Sequence, residues 1–247
     1  MWIGIISIFS EMFALVSNYG ILNKAIRNGS VSLFLFNPKY FSKNIFINCR
    51  PYSDIPGVLL NVEVLKNVIN YAKLESNSVN TKVVYLSPKG VFLNQSIVVD
   101  FLSYKSVIFI SGRYEGVDER LFNFFIDSEL SIGDIILSGG ELAIMLLIDS
   151  IVRLLPNVLN NVQSIFTDSF INYILDSPHY AKPKLVYNVK ISENLLSGNH
   201  LFIKNWNIKC RLGGTFFFRR DLFNKIRMSK MQYMLLRVFI FKNREVV

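Results

Sequence analysis

Between an apolar run from Ile132 to Leu137 and a helical pattern that begins at Glu141 stand Ser138, Gly139 and Gly140. After Glu141, Leu142, Met145, Leu146, Asp149, Val152 and Arg153 recur at three- and four-residue steps, the spacing of one helix face. The order predicts a short buried strand entered through Gly133, then a glycine turn, then a helix. Main-chain amides and carbonyls at such a turn can bind a small polar molecule, and paired glycines let it approach the backbone. Two other turns have the same character: Ser87-Pro88-Lys89-Gly90, and Ser111-Gly112-Arg113-Tyr114-Glu115-Gly116. Each follows an apolar run, so in a parallel sheet all three fall at the edge where open α/β sheets bind ligands. Asp149 and Arg153, at i and i+4, share one side of the helix. A strand, glycine turn and helix also occur purely for packing. GxGxxG, GxxxxGK[ST] and GxSxG are absent, so dinucleotide, P-loop and nucleophile-elbow chemistry lack support.

The elements that must position these turns follow from the pattern. Residues 2–8 read as a buried strand, Phe9 to Glu11 as a turn into a helix reaching Asn28, and Val31 to Phe36 as a second strand. Lys43 to Pro56 is irregular, and a helix spans Val62 to Ala72. Lys82 to Leu86 is a β-branched strand, 94–104 a helix and Val107 to Ile110 another buried strand. Apolar runs alternating with helical ones predict an α/β fold whose parallel sheet is covered on both faces. After Pro156 the chain turns polar, as a hinge would, and from about Ser197 it is basic and helical.

With 51% hydrophobic residues the chain can build a core, yet no uncharged apolar run reaches the ~18 residues of a spanning helix. Glu11 interrupts the apolar N-terminus, which argues against a secretory signal. Cys49 and Cys210 stand apart without CxxC spacing, and the two histidines are too few for a metal site of their own. From Ala181 onward 14 Lys/Arg face only Glu193, Asp221 and Glu245, a net of +11, whereas residues 1–180 carry −2. A near-neutral body with a basic C-terminal third suggests a catalytic domain followed by a polyanion-binding module, although a solvated basic surface would give the same count.

The string GRYEGVDERL at Gly112 to Leu121, followed by SIGDIILSGGELAIMLLIDSIVRLLP, closely resembles the bacterial tRNA (guanine-N1-)-methyltransferase family TrmD, of the SPOUT superfamily. MWIGIISIFSEMF, SPKG, TDSF at 167–170, LDSPHY at 175–180 and SGNH at 197–200 match in order, so the resemblance covers nearly the whole chain. It implies a SPOUT-type parallel-sheet domain at 1–158 with a deep C-terminal trefoil knot, a linker at 159–169 and a small, mainly helical tRNA-binding domain at 170–247. It also implies an obligate homodimer in the cytoplasm with no membrane association. The implied reaction moves a methyl group from S-adenosylmethionine to N1 of guanosine 37 of a tRNA that carries guanosine at positions 36 and 37.

Carried over residue by residue, the resemblance places the cofactor against Ser87 and Pro88, then Gly112, Tyr114 and Glu115. It continues through Ile132, Gly133, Asp134, Ile135, Ile136 and Leu137 to Gly139 and Gly140. Asp168 matches the general base that removes the N1 proton, acting on the other subunit's pocket, and Arg153 matches the residue that stabilises charge on O6. From the residues alone, Asp168 serves equally as a helix N-cap and Arg153 as a partner of Asp149. Glu115 is implied near the methionyl end or a magnesium ion. Asp176 and His179 are implied near the tRNA, or form a turn held by side chains. Lys182, Arg211, Arg219 and Arg220 are implied at phosphates. The chain departs from the family pattern at 53–57, at the missing glycines around Asn157 and Asn160, at Asn207 and at Asp221. A tRNA-binding protein of the same fold that has lost catalysis is the alternative, and peripheral membrane association through Met228 to Phe241 a third reading from composition.

Overall fold

The computed structural model describes residues 1–42, 46–52, 56–161 and 163–242. Positions 53–55 of the departing loop and part of the 43–56 stretch lie outside the described residues. The chain divides into two compact units, Met1–Asn160 and Asn161–Val247.

The first unit contains β1 (Trp2–Ile6), α1 (Phe13–Asn18), α2 (Gly20–Arg27), β2 (Ser32–Phe36), β3 (Asn48–Cys49), β4 (Leu59–Leu60) and α3 (Val62–Glu75). It continues with β5 (Thr81–Phe92), α4 (Gln95–Asp100), β6 (Ser106–Ile110), β7 (Ser128–Ser131) and α5 (Glu141–Val152). Five strands form one sheet in the order β2-β1-β6-β5-β7, parallel throughout. β6 is buried at every position, which is why it reads as an unbroken apolar run rather than an alternating one. Ile108, Ile110, Val83 and Tyr85 pack against Leu65, Val68, Ile69 and Ala72 of α3. By the two-residue period of a strand, Ile3, Ile5 and Phe109 face the opposite side. Phe109 there meets Phe101, just after α4, at 5.9 Å between ring centroids. Ala143, Ile144, Leu147, Ile148 and Ile151 of α5 are buried, while Leu142 and Leu146 are exposed.

Three expectations change. The helix expected to run to Asn28 is broken into α1 and α2, because Tyr19 is extended and Gly20 has φ +68°. The strand at Lys82 to Leu86 does not end at Ser87; β5 bulges over 87–90 and resumes, so that Leu86 and Val91 both register with Leu130. The buried strand predicted at Ile132 to Leu137 is instead a loop after β7. Gly133 turns at φ +136°, Ile135 N–H donates to Gly133 O, and Ile135 and Ile136 are 57% and 88% exposed. Apolar content suggested burial, but the pairing partner that β5 offers is used by Ser128–Ser131.

The second unit contains α6 (Gln163–Thr167), a hairpin of β8 (Leu185–Val186) and β9 (Val189–Lys190), α7 (Glu193–Leu196), α8 (His200–Phe218), α9 (Arg220–Phe223) and α10 (Lys230–Lys242). Asn199 caps α8 by accepting from the Leu201 and Phe202 amides. Gly213 lets α10 close on α8, since a Cβ there would strike the Phe239 ring. Among the described residues no helix is long and apolar enough to cross a membrane.

Candidate functional site

The three turns singled out from the sequence meet at the C-terminal edge of the sheet and enclose a cleft of about 470 Å³. Ser87 and Pro88 contribute from the β5 bulge, and Gly112, Tyr114 and Glu115 from the loop after β6. Ile132, Gly133, Ile135, Ile136, Leu137, Gly139 and Gly140 close it from the segment between β7 and α5. Asp134 is exposed on the same segment and does not line the cleft.

Local close approaches explain the glycines. A Cβ on Gly112 would strike the Tyr85 ring and hydroxyl, and one on Gly90 would lie 2.5 Å from the Leu130 backbone. A Cβ on Gly140 would come within 3.1 Å of Ser111 Cα, and Gly140 N–H donates to Gly112 O at 3.0 Å. The glycine turn is therefore stitched to the end of β6. Tyr114 sits at φ +59°, and the Glu115 amide and the Gly116 carbonyl bond to Val58 and Leu60, which fix the outer side of the loop.

Three polar features around the cleft escaped the sequence reading. Glu141, the first residue of α5, is 1% exposed. Its Oε1 accepts from Ser7 Oγ at 2.8 Å and from Arg113 Nε at 3.0 Å. Its Oε2 lies 2.9 Å from the same Nε but receives no directed hydrogen bond, so that contact is electrostatic. Arg113 also donates through Nη1 to Ser138 O and stacks on Phe9, 4.5 Å from its centroid. At the rim, Lys89 Nζ reaches Glu119 at 2.8 Å, both exposed; the hydrogen bond to Glu119 raises the Lys89 pKa. In the floor, burial and then the charges of Glu129 and Glu119 push Tyr85 up to about 12, so its hydroxyl keeps its proton at neutral pH. Glu141 had one visible sign, an acid directly after a glycine pair at a helix start; Ser7 and Tyr85 had none.

The two catalytic candidates come from later elements of the chain. Arg153 is half-buried at the C-cap of α5, twelve residues and roughly 18 Å of helix from Glu141. Asp168 is half-buried in the second unit, directly after α6, its amide bonded to Ser164 O. The helical turn that follows, Ile171–Tyr173, has Phe170 in the left-handed region at its N-cap position.

Further along the second unit, Asp176 accepts from the Ser177 amide and lies 3.0 Å from His179 Nε2, so the pair holds a turn. Burial opposes ionisation of Asp176, yet the His179 and Ser177 hydrogen bonds hold its pKa below the usual carboxylate value. Of the residues implied at phosphates, Arg211 turns inward to the carbonyls of Leu175 and Thr167, and Arg219 pairs with Asp221 at 2.6 Å. Arg220 stacks 3.7 Å over Phe216, and Lys182 is exposed.

A model of the family described as tRNA (Guanine-1)-methyltransferase TrmD matches residues 1–225. The tRNA (guanine-N(1)-)-methyltransferase of Baumannia cicadellinicola subsp. Homalodisca coagulata is 42% identical, covering 100% of this chain and 98% of its own length. That of Buchnera aphidicola subsp. Baizongia pistaciae (strain Bp) is 48% identical over 94% of each chain. The crystal structure of tRNA (m1G37) methyltransferase from Aquifex aeolicus is similar at a TM-score of 0.71 and 32% identity, covering 91% of this chain and 95% of that one.

Proposed function

This chain belongs to the tRNA (guanine-1)-methyltransferase family TrmD, and from that premise we infer that it methylates N1 of guanosine 37 in tRNA, using S-adenosylmethionine. The observation that carries the reading is the cleft of about 470 Å³, where glycines 112, 139 and 140 leave main chain bare and a Cβ at each would meet neighbouring atoms. A volume of this order suits a nucleoside-sized ligand. When bound, S-adenosylmethionine supplies a methyl group activated on sulfonium.

The chain's own part is to orient, deprotonate and stabilise. Guanine N1 carries a proton at neutral pH, and Asp168 accepts it as general base. As that proton leaves, negative charge gathers on O6, and the Arg153 guanidinium offsets it. Arg153 stands roughly 18 Å of helix from the glycine turn of its own chain, a separation that favours a site completed by a second copy. The homodimer is therefore part of the reading, with Asp168 serving the partner's cleft.

A trefoil knot is also part of it. After β7, at the outer edge beside β5, the chain crosses back to the ends of β6 and β1 before α5 starts. The Gly140 bond to Gly112 and the Glu141 bond to Ser7 mark that crossing. The tRNA that the reading calls for carries guanosine at 36 and 37, and its place of action is the cytoplasm. Domain limits of 1–158, 159–169 and 170–247 suit the reading, with the basic third on the RNA. For magnesium, one or two carboxylates with water are the usual donors. Among the described residues no three His, Cys, Asp or Glu side chains converge. Glu115 and Glu119 both line the cleft, and no step is assigned to the ion.

The test is methyl transfer from labelled S-adenosylmethionine to an unmodified tRNA transcript with guanosine at 36 and 37. An adenosine-37 transcript and Asp168→Ala serve as controls. Incorporation should vanish with adenosine 37 and fall roughly 10²–10⁴-fold with Asp168→Ala. Tight tRNA binding without any incorporation would leave a binding protein. Undiminished transfer by Asp168→Ala would remove the proposed base.

A further inference from the structure

We propose that Glu141 is a positioning residue for cofactor binding: together with Ser7 and Arg113 it clamps the glycine turn that forms one wall of the cleft. The inference rests on the functional reading above. Glu141 does not line the cleft, but Arg113, Ser138, Gly139 and Gly140 do. Its carboxylate joins three segments that are distant in sequence, the end of β1 through Ser7, the loop after β6 through Arg113, and the start of α5. Arg113 extends the link by donating from Nη1 to Ser138 O at 3.0 Å, so one guanidinium holds both the carboxylate and the turn.

The glycine pair is the other half of the clamp. A Cβ on Gly139 would strike Arg113 Nε and lie 2.5 Å from Glu141 Oε2, so glycine there makes room for the ion pair as well as for a ligand. A carboxylate in the first turn of α5 also gains from the helix dipole. A buried carboxylate is costly to keep unless it is paired and hydrogen-bonded. Packing alone would be served as well by an apolar side chain. What the charge adds is direction, because the planar guanidinium fixes where Ser138 O can lie.

The experiment measures S-adenosylmethionine affinity, tRNA affinity and thermal midpoint for wild type, Glu141→Gln, Arg113→Lys, Ser7→Ala and the Glu141→Gln/Arg113→Lys double variant. Binding is read at a temperature where each remains folded. Glu141→Gln and Arg113→Lys should each weaken cofactor binding by about tenfold or more, with tRNA affinity unchanged. The double variant should be little worse than either single, as residues acting through one contact are non-additive. A lowered midpoint with unchanged cofactor affinity would reduce Glu141 to a structural role and overturn the proposal. Additive losses would also overturn it. If Glu141→Gln does not fold, Arg113→Lys and Ser7→Ala decide by the same affinity criterion. Failure of the wild type to bind S-adenosylmethionine would instead overturn the functional reading.

Discussion

Single side chains around the cleft and on the second unit have pH and charge behaviour that follows from their neighbours. Burial disfavours the phenolate and pushes Tyr85 in the folded chain up to about 12, whereas an unfolded tyrosine titrates near about 10. Between those values the unfolded state binds fewer protons, so this contribution is complete below pH 10 and is lost as pH rises through 12. Wild type should therefore lose about 2 kcal/mol more than Tyr85→Phe over that interval, read from denaturant midpoints. The hydrogen bond from Arg219 draws the Asp221 pKa down to about 2, against an opposing effect of desolvation. The pair thus stays ionised at any working pH and ties up a cation proposed to meet RNA. Asp221→Asn should tighten tRNA binding at low salt by about threefold. An unchanged affinity would place Arg219 outside the RNA surface.

Helix α5 shows how one element serves two purposes. Its core face, Ile144, Leu147, Ile148 and Ile151, is at most 1% exposed, while Leu142 is 54% and Leu146 48% exposed. Ile144→Ala should cost about 2–5 kcal/mol by transfer and cavity terms. Leu142→Ala should change the stability of a monomer by less than about 0.5 kcal/mol. A Leu142→Ala loss that grows with protein concentration, followed by thermal unfolding, would show a second copy covering that stripe, in keeping with the proposed dimer. The loop before α5 carries the other lesson of this scale. Ile135 and Ile136 look like core in the sequence, yet they belong to a cleft-lining loop, because the next strand position on β5 is already taken by Ser128–Ser131.

At the scale of the molecule the charge asymmetry matters most. The C-terminal net of +11 from Ala181 onward predicts a salt-dependent, sequence-poor component of tRNA affinity. Raising salt from roughly 50 to 200 mM should weaken binding about tenfold or more, with a linear log–log slope that reports the phosphates neutralised. A flat slope would separate the basic third from the RNA.

Residue order alone determined the parallel α/β sheet, the three turns that converge on one edge, and the family. Each is written locally, in apolar runs, glycine positions and collinear motifs such as GRYEG and SGGE. Only the tertiary structure decided that β5 bulges and resumes, that Asp134 stands outside the cleft, and that Arg211 bonds inward. It alone joined Ser7 to Glu141, residues 134 positions apart. Strand register and buried ion pairs depend on which distant segment reaches a partner first, and local composition does not record that competition.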